Sequence, residues 1–364
     1  KEGYRLLGDF IQPVDERNRD LRVDYLLGVS ISKQFIPSIA NIVGTDLSNY
    51  KIVRTGQFAY GPVTSRNGEK ISIALLRDKD CIISSSYTVF EVVNKNELDS
   101  EYLMLWFSRP EFDRYARYMS HGSVREIFDW DELCKVELPV PSIDKQRSIV
   151  RAYQNITERI ELKRRINDNL DATIYAKFQD MFQKNKEILF SGEQLEDWCI
   201  KPLSFLADFK YGKMATSEIL CEKGFPVYSG YRIVGYCNKY MFKEPQLVVL
   251  ARGVSGTGEV RISPPCCHLT NLSIAVLLYD RTYINYLLYY LENDNLISLD
   301  SGSAQSQITI NNLSMHKVML PPYSKVVEFD NIAKQLRSII DENNKEIEVL
   351  EELKKVLLTT ISSR

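Results

Sequence analysis

The sequence contains 364 residues, 44% of them hydrophobic and 26% charged, which is the composition of an ordinary soluble protein with room for two cored domains. The formal net charge of −2 excludes a polycation, so a basic surface for nucleic acid must be local or partly supplied by a partner. No run of about 18 apolar residues occurs, which excludes a transmembrane helix.

The cysteines indicate a reducing compartment. They number seven, an odd total, and their spacing matches neither a disulfide framework nor a zinc site. Cys266, Cys267 and His268 are adjacent, which is poor geometry for binding one metal ion. The first residues lack the apolar core of a signal peptide. We therefore predict reduced thiols, no metal and a cytoplasmic location.

Residues 1–141 are predicted to form a first globular domain of mixed α/β (α+β) type. Short β-branched and aromatic runs between turn residues predict strands at 23–31, 50–54, 71–76 and 87–93. The segment 98–118 is rich in Leu, Trp, Phe and Tyr and is predicted to be helical. A loop at 121–125 and a strand at 136–139 follow.

A long helix is predicted after Pro139 and Pro141. Roughly 40 residues follow without Gly or Pro, and proline is tolerated at a helix entry but not in its interior. Ser142 is the expected N-cap. A helix of about 60 Å is too long to be buried in one ordinary domain. We assign residues 142–187 to this first long helix.

The second half of the chain repeats the first. Leu320 and Pro321 match Leu138 and Pro139, and Ser324 matches Ser142. Three further segments also correspond, namely 202–209 with 4–11, 286–290 with 102–106, and 302–305 with 122–125. A period of about 180 residues indicates one globular-plus-helix unit used twice. We predict a second domain at 188–322 and a second long helix at 323–364.

Heptad patterns predict that the two long helices form a coiled coil. The first helix has one seam at Ile149, Ile156, Lys163, Leu170 and Lys177, and another at Tyr153, Ile160, Asn167 and Ile174. The second helix has one seam at Ile332, Ile339, Glu346, Leu353 and Thr360, and another at Leu336, Asn343, Leu350 and Leu357.

The polar seam residues favour an antiparallel pair. In that orientation Lys163 faces Glu346 and Asn167 faces Asn343, whereas a parallel pair would bury each asparagine against an apolar residue. An unpaired buried polar group costs about 1–3 kcal/mol. Antiparallel helices would relate the two domains by a pseudo-twofold axis. The alternative is that each helix packs on its own domain alone.

Motifs for catalysis are missing from the sequence. It contains no Walker A sequence, no G-x-G-x-x-G and no H-E-x-x-H, and its three histidines leave little scope for His-based chemistry. We therefore predict a protein that is not itself an enzyme.

Loops that mix basic, amide and tyrosine side chains are candidates for contact with DNA. Arg suits guanine edges, Asn and Gln suit adenine edges, and Lys, Ser and Tyr suit phosphates. The candidates in the first half are Tyr60, Arg66, Asn67, Lys70, Ser123 and Arg125. Those in the second half are Lys210, Tyr211, Lys213, Tyr228, Tyr231, Arg232, Arg252, Arg261, Ser303 and Gln305. An ordinary solvated loop is the alternative interpretation of each.

The chain resembles the specificity (S) subunit of type I restriction–modification systems. The resemblance rests on two variable halves that each close on a Gly-Ser and Leu-Pro segment before a long helix. Its local marks are Gly122-Ser123 with 138–141 and Gln146, and then 302–305 with 320–322. The second copy departs from the first, because Val327 or Glu328 stands where the first has Gln146.

The resemblance implies a non-catalytic subunit that reads double-stranded DNA. Each globular part would be a target recognition domain for one half of a bipartite, gapped site. The helices would set the gap and dock two methyltransferase (M) subunits, which would use S-adenosylmethionine to methylate adenine N6. Restriction (R) subunits using ATP would add cleavage, and this chain would hold no cofactor. The alternative is a scaffold whose two domains bind proteins across a helical strut.

Overall fold

The computed structural model describes residues 3–38, 44–65, 67–122, 125–192, 195–230, 232–253, 256–300 and 307–361. The chain divides into two compact units. The first contains Lys1–Lys163 and Lys345–Arg364, and the second contains Arg164–Asn344. Each unit therefore combines one globular part with a portion of both long helices.

The globular part of the first unit is a mixture of short strands and helices. Its described residues form β1 Tyr4–Leu6, β2 Ile11–Val14, β3 Leu27–Val29, β4 Phe35–Pro37, β5 Lys51–Val53, β6 Phe58–Tyr60, β7 Ile73–Leu75, β8 Cys81–Ile83, β9 Thr88–Val92, α1 Ser100–Phe107, α2 Pro110–Tyr118, α3 Trp130–Cys134 and β10 Glu137–Pro139. The predicted strands are present but shorter than the apolar runs that indicated them.

An antiparallel four-stranded sheet in the order β2-β9-β6-β7 carries the core of this unit. Phe58 and Phe90 stack across it with ring centroids 4.9 Å apart, and the buried face of α1 covers them. The helix predicted over 98–118 is two helices. Pro110 begins the second, because proline lacks the N–H that an uninterrupted helix needs there.

The second unit repeats this plan. Its described residues form α5 Lys184–Phe190, β11 Cys199–Pro202, β12 Ala207–Tyr211, β13 Leu220–Cys221, β14 Phe225–Ser229, β15 Arg232–Cys237, β16 Leu247–Leu250, β17 Val260–Ile262, β18 His268–Leu269, β19 Ser273–Leu278, α6 Tyr283–Glu292, α7 Ile310–Met315 and β20 Lys317–Leu320. The sheet β12-β19-β16-β17 corresponds to β2-β9-β6-β7, and a second sheet has the order β13-β15-β14-β18.

One buried contact is common to both units. The hydroxyl of Tyr102 donates to the carbonyl oxygen of Pro139 at 3.1 Å, and that of Tyr286 donates to the carbonyl oxygen of Met319 at 2.8 Å. Each tyrosine thereby joins a core helix to the last strand before a long helix. The repeat therefore preserves the donor tyrosine and the acceptor strand, although Met319 lies two residues before Pro321, the residue that matches Pro139.

The two long helices are α4 Ile143–Phe178 and α8 Tyr323–Thr360. Helix α4 begins directly after Ser142, the expected N-cap. The helical segment continues after α4 through a π turn at Gln179–Gln183 and then α5, so it ends at Phe190, beyond the predicted end at residue 187. No helix among the described residues is long and apolar enough to span a membrane.

Gln146 attaches the start of α4 to the first globular part. It is fully buried, and its Oε1 accepts from the Asp99 N–H at 2.9 Å. Its Nε2 donates to the carbonyl oxygens of Glu97 and Pro141 at 2.9 and 2.8 Å. The second unit makes the attachment differently, because buried Asp330 of α8 accepts a 2.8 Å hydrogen bond from Asn285.

Within each unit the segments of α4 and α8 run antiparallel. In the first unit Nζ of Lys354 lies 5.0 Å from the ring centroid of Tyr153, and Nζ of Lys163 lies 2.8 Å from Oε2 of Glu346. Residue numbers of the contacts therefore rise along α4 as they fall along α8, which is the order expected of antiparallel helices. In the second unit Phe178 packs on Phe329 in the same sense.

One predicted seam of α8 is wrong by one residue. Ile339 and Leu353 are 44% and 49% exposed, whereas Ile347 is buried. The inward stripe instead follows Ala333, Ile340, Ile347, Lys354 and Ile361. Adjacent residues of α8 are both apolar at several positions, such as Ile339 and Ile340, so the heptad pattern can be drawn through either one. The observed choice leaves Glu346 at the edge, where partial hydration avoids the cost of burying its charge.

Candidate nucleic-acid interface

Two loops of the first unit form one continuous surface. Ile127 pairs with both Val63 and His121 through isolated β-bridges. The Thr64 N–H donates to the carbonyl oxygen of Glu126 at 3.0 Å. The loop after β6 and the loop after α2 are therefore held together by their backbones, and side chains from both can act on one ligand.

Gly122 allows the second loop to turn. Its φ of +136° lies in a region that L side chains rarely adopt, and an added Cβ would lie 2.2 Å from the carbonyl oxygen of Arg125. The glycine of the Gly-Ser segment is thus a backbone requirement. Its effect is to place Arg125 beside the loop after β6.

Asn67 and Arg125 line one cleft of about 280 Å³, together with Ser86 and Tyr87 from the turn before β9. Lys70 is exposed on the same loop as Asn67. A guanidinium, a carboxamide, a hydroxyl and a phenol are thus gathered in one place. This set can read base edges and contact phosphates.

Tyr60 does not belong to this surface. It is fully buried in the core, 6.1 Å from Phe90 between ring centroids, and burial raises the pKa of its phenol. The sequence placed it in a polar loop, but it is the last residue of β6, all of which is buried.

In the second unit a glycine positions two candidate lysines. A Cβ on Gly212 would lie 2.0 Å from the carbonyl oxygen of Thr270, so only glycine permits this close approach of the backbones. The Lys213 N–H donates to the carbonyl oxygen of Leu269 at 2.8 Å. Lys210 and Lys213 both have exposed side chains on either side of this contact.

Tyr211 lies between these lysines but has a structural contact. Its hydroxyl accepts from the Ile310 N–H at 3.1 Å, which ties β12 to α7. The guanidinium carbon of Arg252 lies 5.9 Å from its ring centroid. Arg252 is half-buried, and its Nε makes no hydrogen bond within the described ranges.

The hairpin of β14 and β15 presents another candidate. Gly230 turns the chain with a φ of +62°, and Arg232 follows as the exposed first residue of β15, opposite Ser229. Tyr228, in contrast, is only 7% exposed and packs in a small core, and burial raises its pKa. The hairpin therefore exposes the side chain of Arg232 and buries that of Tyr228.

Arg261 is held by the protein itself. Its Nη2 lies 3.0 Å from Oε2 of Glu259, and its Nη1 lies 3.1 Å from Oε1 of Glu292. Nη1 also donates to the carbonyl oxygen of Val260 at 2.7 Å. With its charge compensated by two carboxylates, Arg261 is a poor candidate for reading DNA.

The other predicted residues are Arg66, Ser123, Tyr231, Ser303 and Gln305, and they lie outside the described residues. Within the part of the chain that the structure describes, no three His, Cys, Asp or Glu side chains are grouped to hold a metal ion.

Comparisons with known proteins agree on one family. The model of the type I restriction modification DNA specificity domain matches residues 35–172 and again 195–354. The specificity subunit of type I restriction enzyme MjaIX from Methanocaldococcus jannaschii is 22% identical over 299 residues, which cover 73% of this chain and 69% of that protein.

Two solved structures share the fold. The crystal structure of a type I restriction–modification S subunit from M. genitalium has a TM-score of 0.65 at 16% identity, covering 99% of this chain and 95% of that one. A chain from a structural study of complex assembly and conformational transition in the type I system has a TM-score of 0.50 at 18% identity, covering 99% and 98%.

Proposed function

Since the chain belongs to the type I restriction–modification DNA specificity family, we propose that its two units read the two halves of one bipartite, gapped DNA site. The observation that carries this proposal is the double match of the family model. Each match covers most of one globular part and most of the long helix that follows it. Two readers in one chain account for a site with two parts.

The two candidate surfaces differ in their chemistry. The first unit offers Asn67 and Arg125 in a cleft, and the second offers Arg232 on a hairpin with Lys210 and Lys213 nearby in sequence. Because the side chains differ, the two half-sites should differ as well. An asymmetric recognition sequence follows from a repeat that keeps its fold but varies its loops.

The long helices would serve as spacer and docking surface. Val349, Leu353 and Val356 of α8 are 67%, 49% and 55% exposed and lie along one side of the helix. Exposed apolar stripes of this kind mark protein–protein contacts. We assign the docking of two methyltransferase subunits to the helices, and of restriction subunits where the system has them.

The chemistry would belong to these partners. Methyltransferase subunits would use S-adenosylmethionine to methylate adenine N6, and restriction subunits would use ATP. This chain would contribute no catalytic group, in keeping with its lack of a catalytic motif. Its net charge of −2 also suits a subunit whose partners supply many of the phosphate contacts.

A methylation map of the host genome tests the proposal. Cells that carry this gene should show N6-methyladenine at one two-part motif with a fixed gap, and deletion of the gene should erase that motif alone. Restoring the gene with Arg125→Ala or Arg232→Ala should relax one half of the motif and leave the other half intact. An unchanged map in cells whose methyltransferase subunits are expressed would refute the proposal.

A further inference from the structure

An aromatic pocket lies in the first unit, and none of its lining residues belongs to the candidate DNA cleft. It has a volume of about 430 Å³ and is built from β1, the end of α1, α2 and the start of β10. Its buried lining residues include Trp106, Arg109 and Phe112, Tyr4 and Tyr115 are partly exposed, and Glu111, Lys135 and Glu137 are exposed at its edge.

Arg109 is a buried cation with little compensation. The residue is 5% exposed, and its guanidinium carbon lies 4.3 Å from the ring centroid of Trp106. Its carboxylate contact is a long one, with Nη2 3.4 Å from Oε2 of Glu111. Its Nε makes no hydrogen bond to any described residue. Burial lowers the pKa of Arg109, the direction expected for a charge removed from water.

Trp106 adds a second donor without an acceptor. It is 7% exposed, and its indole Nε1–H has no hydrogen-bond partner among the described residues. Buried polar groups in folded proteins are almost always hydrogen-bonded, and a buried charge needs a counterion. Two adjacent donors of this kind at one pocket favour a site for a group that accepts hydrogen bonds and carries negative charge.

The second unit shows how the corresponding place is filled. Tyr290 lies one helical turn beyond Tyr286, as Trp106 lies one turn beyond Tyr102. Nζ of Lys186 lies 4.4 Å from the Tyr290 ring centroid and forms an ion pair with Asp294. Lys186 and Phe190 belong to α5, which therefore supplies both charge and apolar surface from within the chain. In the first unit, none of the residues that line the pocket beside Trp106 comes from α4 or α8.

We propose that the pocket around Trp106 and Arg109 binds an acidic side chain of a protein partner. The carboxylate would pair with the Arg109 guanidinium and accept from the Trp106 indole N–H. Apolar neighbours of the acidic residue would lie against Phe112 and Tyr115. A bidentate pair with a carboxylate is the contact that a guanidinium makes best.

A protein segment suits the pocket better than DNA does. Arg109 is the one buried cation among the residues that line the recess, and the aromatic residues beside it favour apolar surface next to the anionic group. In a duplex the neighbouring phosphates would lie against the carboxylates of Glu111 and Glu137 at the edge of the pocket. A peptide can place an isolated carboxylate between apolar side chains and avoid this repulsion.

Binding of two blocked peptides to the full chain tests the proposal. Ac-Phe-Glu-Phe-NH2 should bind about tenfold more tightly than Ac-Phe-Gln-Phe-NH2, as expected for a hydrogen-bonded charge, and should change the tryptophan fluorescence. Arg109→Gln should abolish the difference between the peptides. Arg114→Gln is the matched control on α2, since Arg114 is 67% exposed and should leave the preference intact.

Thermal unfolding separates a ligand site from a structural role. Arg109→Met should keep or raise the melting temperature, because it replaces a poorly compensated buried cation with an apolar side chain. A large fall in melting temperature together with an unchanged peptide preference would overturn the proposal. So would equal binding of the two peptides by the parent chain.

DNA binding provides the remaining arm of the test. Arg109→Gln should leave the affinity for duplex DNA unchanged, while Arg232→Ala should lower it. If Arg109→Gln weakens DNA binding and the peptides bind equally, the pocket contacts phosphate and the proposal is wrong. If Arg232→Ala leaves DNA affinity unchanged, that result counts against the proposed function. It does not affect the pocket's preference between the two peptides.

Discussion

Nδ2 of Asn343 donates a hydrogen bond to Oδ1 of Asn167, and the two atoms are 2.8 Å apart. Both residues are 8% exposed, and Nδ2 of Asn167 donates onward to Oδ1 of Asn344 at 2.9 Å. The amides satisfy one another inside a seam that is otherwise mainly apolar. A slip of either helix would break both of these amide hydrogen bonds, so this pair defines the register.

Replacement of one member of this pair should be more harmful than replacement of both. Asn167→Leu leaves the buried Asn343 amide without its acceptor and should lower the free energy of unfolding by about 1–3 kcal/mol in urea titrations. The double variant Asn167→Leu, Asn343→Leu should recover most of the loss. Asn169→Leu, on the exposed side of α4, is the control. A double variant less stable than either single one would contradict this account.

The contact between Lys163 and Glu346 should show a partial rescue. Lys163→Glu places two carboxylates together and should lower the thermal midpoint. Adding Glu346→Lys restores opposite charges, but the new lysine then faces Arg159, which also pairs with Glu346 in the parent chain. Recovery should therefore be incomplete. If the second change lowers the midpoint further, the antiparallel contact is not formed in solution.

Gln146 should be among the least replaceable polar residues of α4. Gln146→Ala removes two donated hydrogen bonds and one accepted bond at a fully buried site, and should lower the free energy of unfolding by about 1–3 kcal/mol or more. Gln154→Ala, at an exposed position of the same helix, should change it little. Hydrogen exchange should locate the loss at the start of α4, and uniform loosening of the chain would argue against a local attachment.

Asp294 should make stability depend on pH at the acidic end. Burial alone would raise its pKa, but hydrogen bonds from His316 and Lys186 outweigh burial and hold the pKa below the ordinary value. Its contribution is therefore complete above the unfolded pKa of about 3.9 and is lost as pH falls through the lower folded pKa.

Urea titrations at neutral pH and at successively lower pH below about 4 measure this contribution. Asp294→Asn should be less stable than the parent at neutral pH, and the difference should shrink as the solution is acidified. Asp168→Asn, at an exposed site of α4, should run parallel to the parent. A difference that stays constant with pH would show that the carboxylate charge is not what stabilises this site.

Two arginines of the second unit should behave differently in DNA binding. Arg232→Ala should cost about 1–3 kcal/mol of affinity for the specific site and relax the sequence preference there. Arg261→Ala should mainly lower stability, since Arg261 is committed to Glu259 and Glu292. Binding should also weaken steeply with salt, whereas a scaffold for peptides would respond little. Equal effects of the two substitutions would contradict the assignment.

The repeat and the pairing of the helices could be predicted because both depend on long-range sequence pattern. Leu138 with Leu320 and Tyr102 with Tyr286 recur after 182 and 184 residues, and the two central asparagines distinguish antiparallel from parallel helices. The exact seam of α8 could not be chosen from the sequence. Ile339 and Ile340 are equally apolar, and only the packed helices decide which one faces inward.

The candidate site was harder to predict because residue type does not report exposure. Tyr60, Asn67 and Arg261 all lie in polar stretches, yet the first is in the core and the last is neutralised by carboxylates. Gln146 was singled out only through the family resemblance, and two of its three hydrogen bonds join it to Glu97 and Asp99, 49 and 47 residues earlier in the chain. Arg109 gave no signal at all, since an arginine ahead of a proline is ordinary at a helix start.

The π turn at Gln179–Gln183 determines which way α5 faces. In a regular α-helix, side chains spaced by four residues drift around the axis by about 40° at each step. The wider π turn offsets that drift, so Ile174, Phe178 and Phe182 remain buried on one side and Lys186 lies beyond them, directed toward Asp294. A chain that lost one residue here could close into ordinary α-helix with little rotation of α5. This turn is therefore the point at which evolution can alter the length of the helix by a single residue and keep its far end attached.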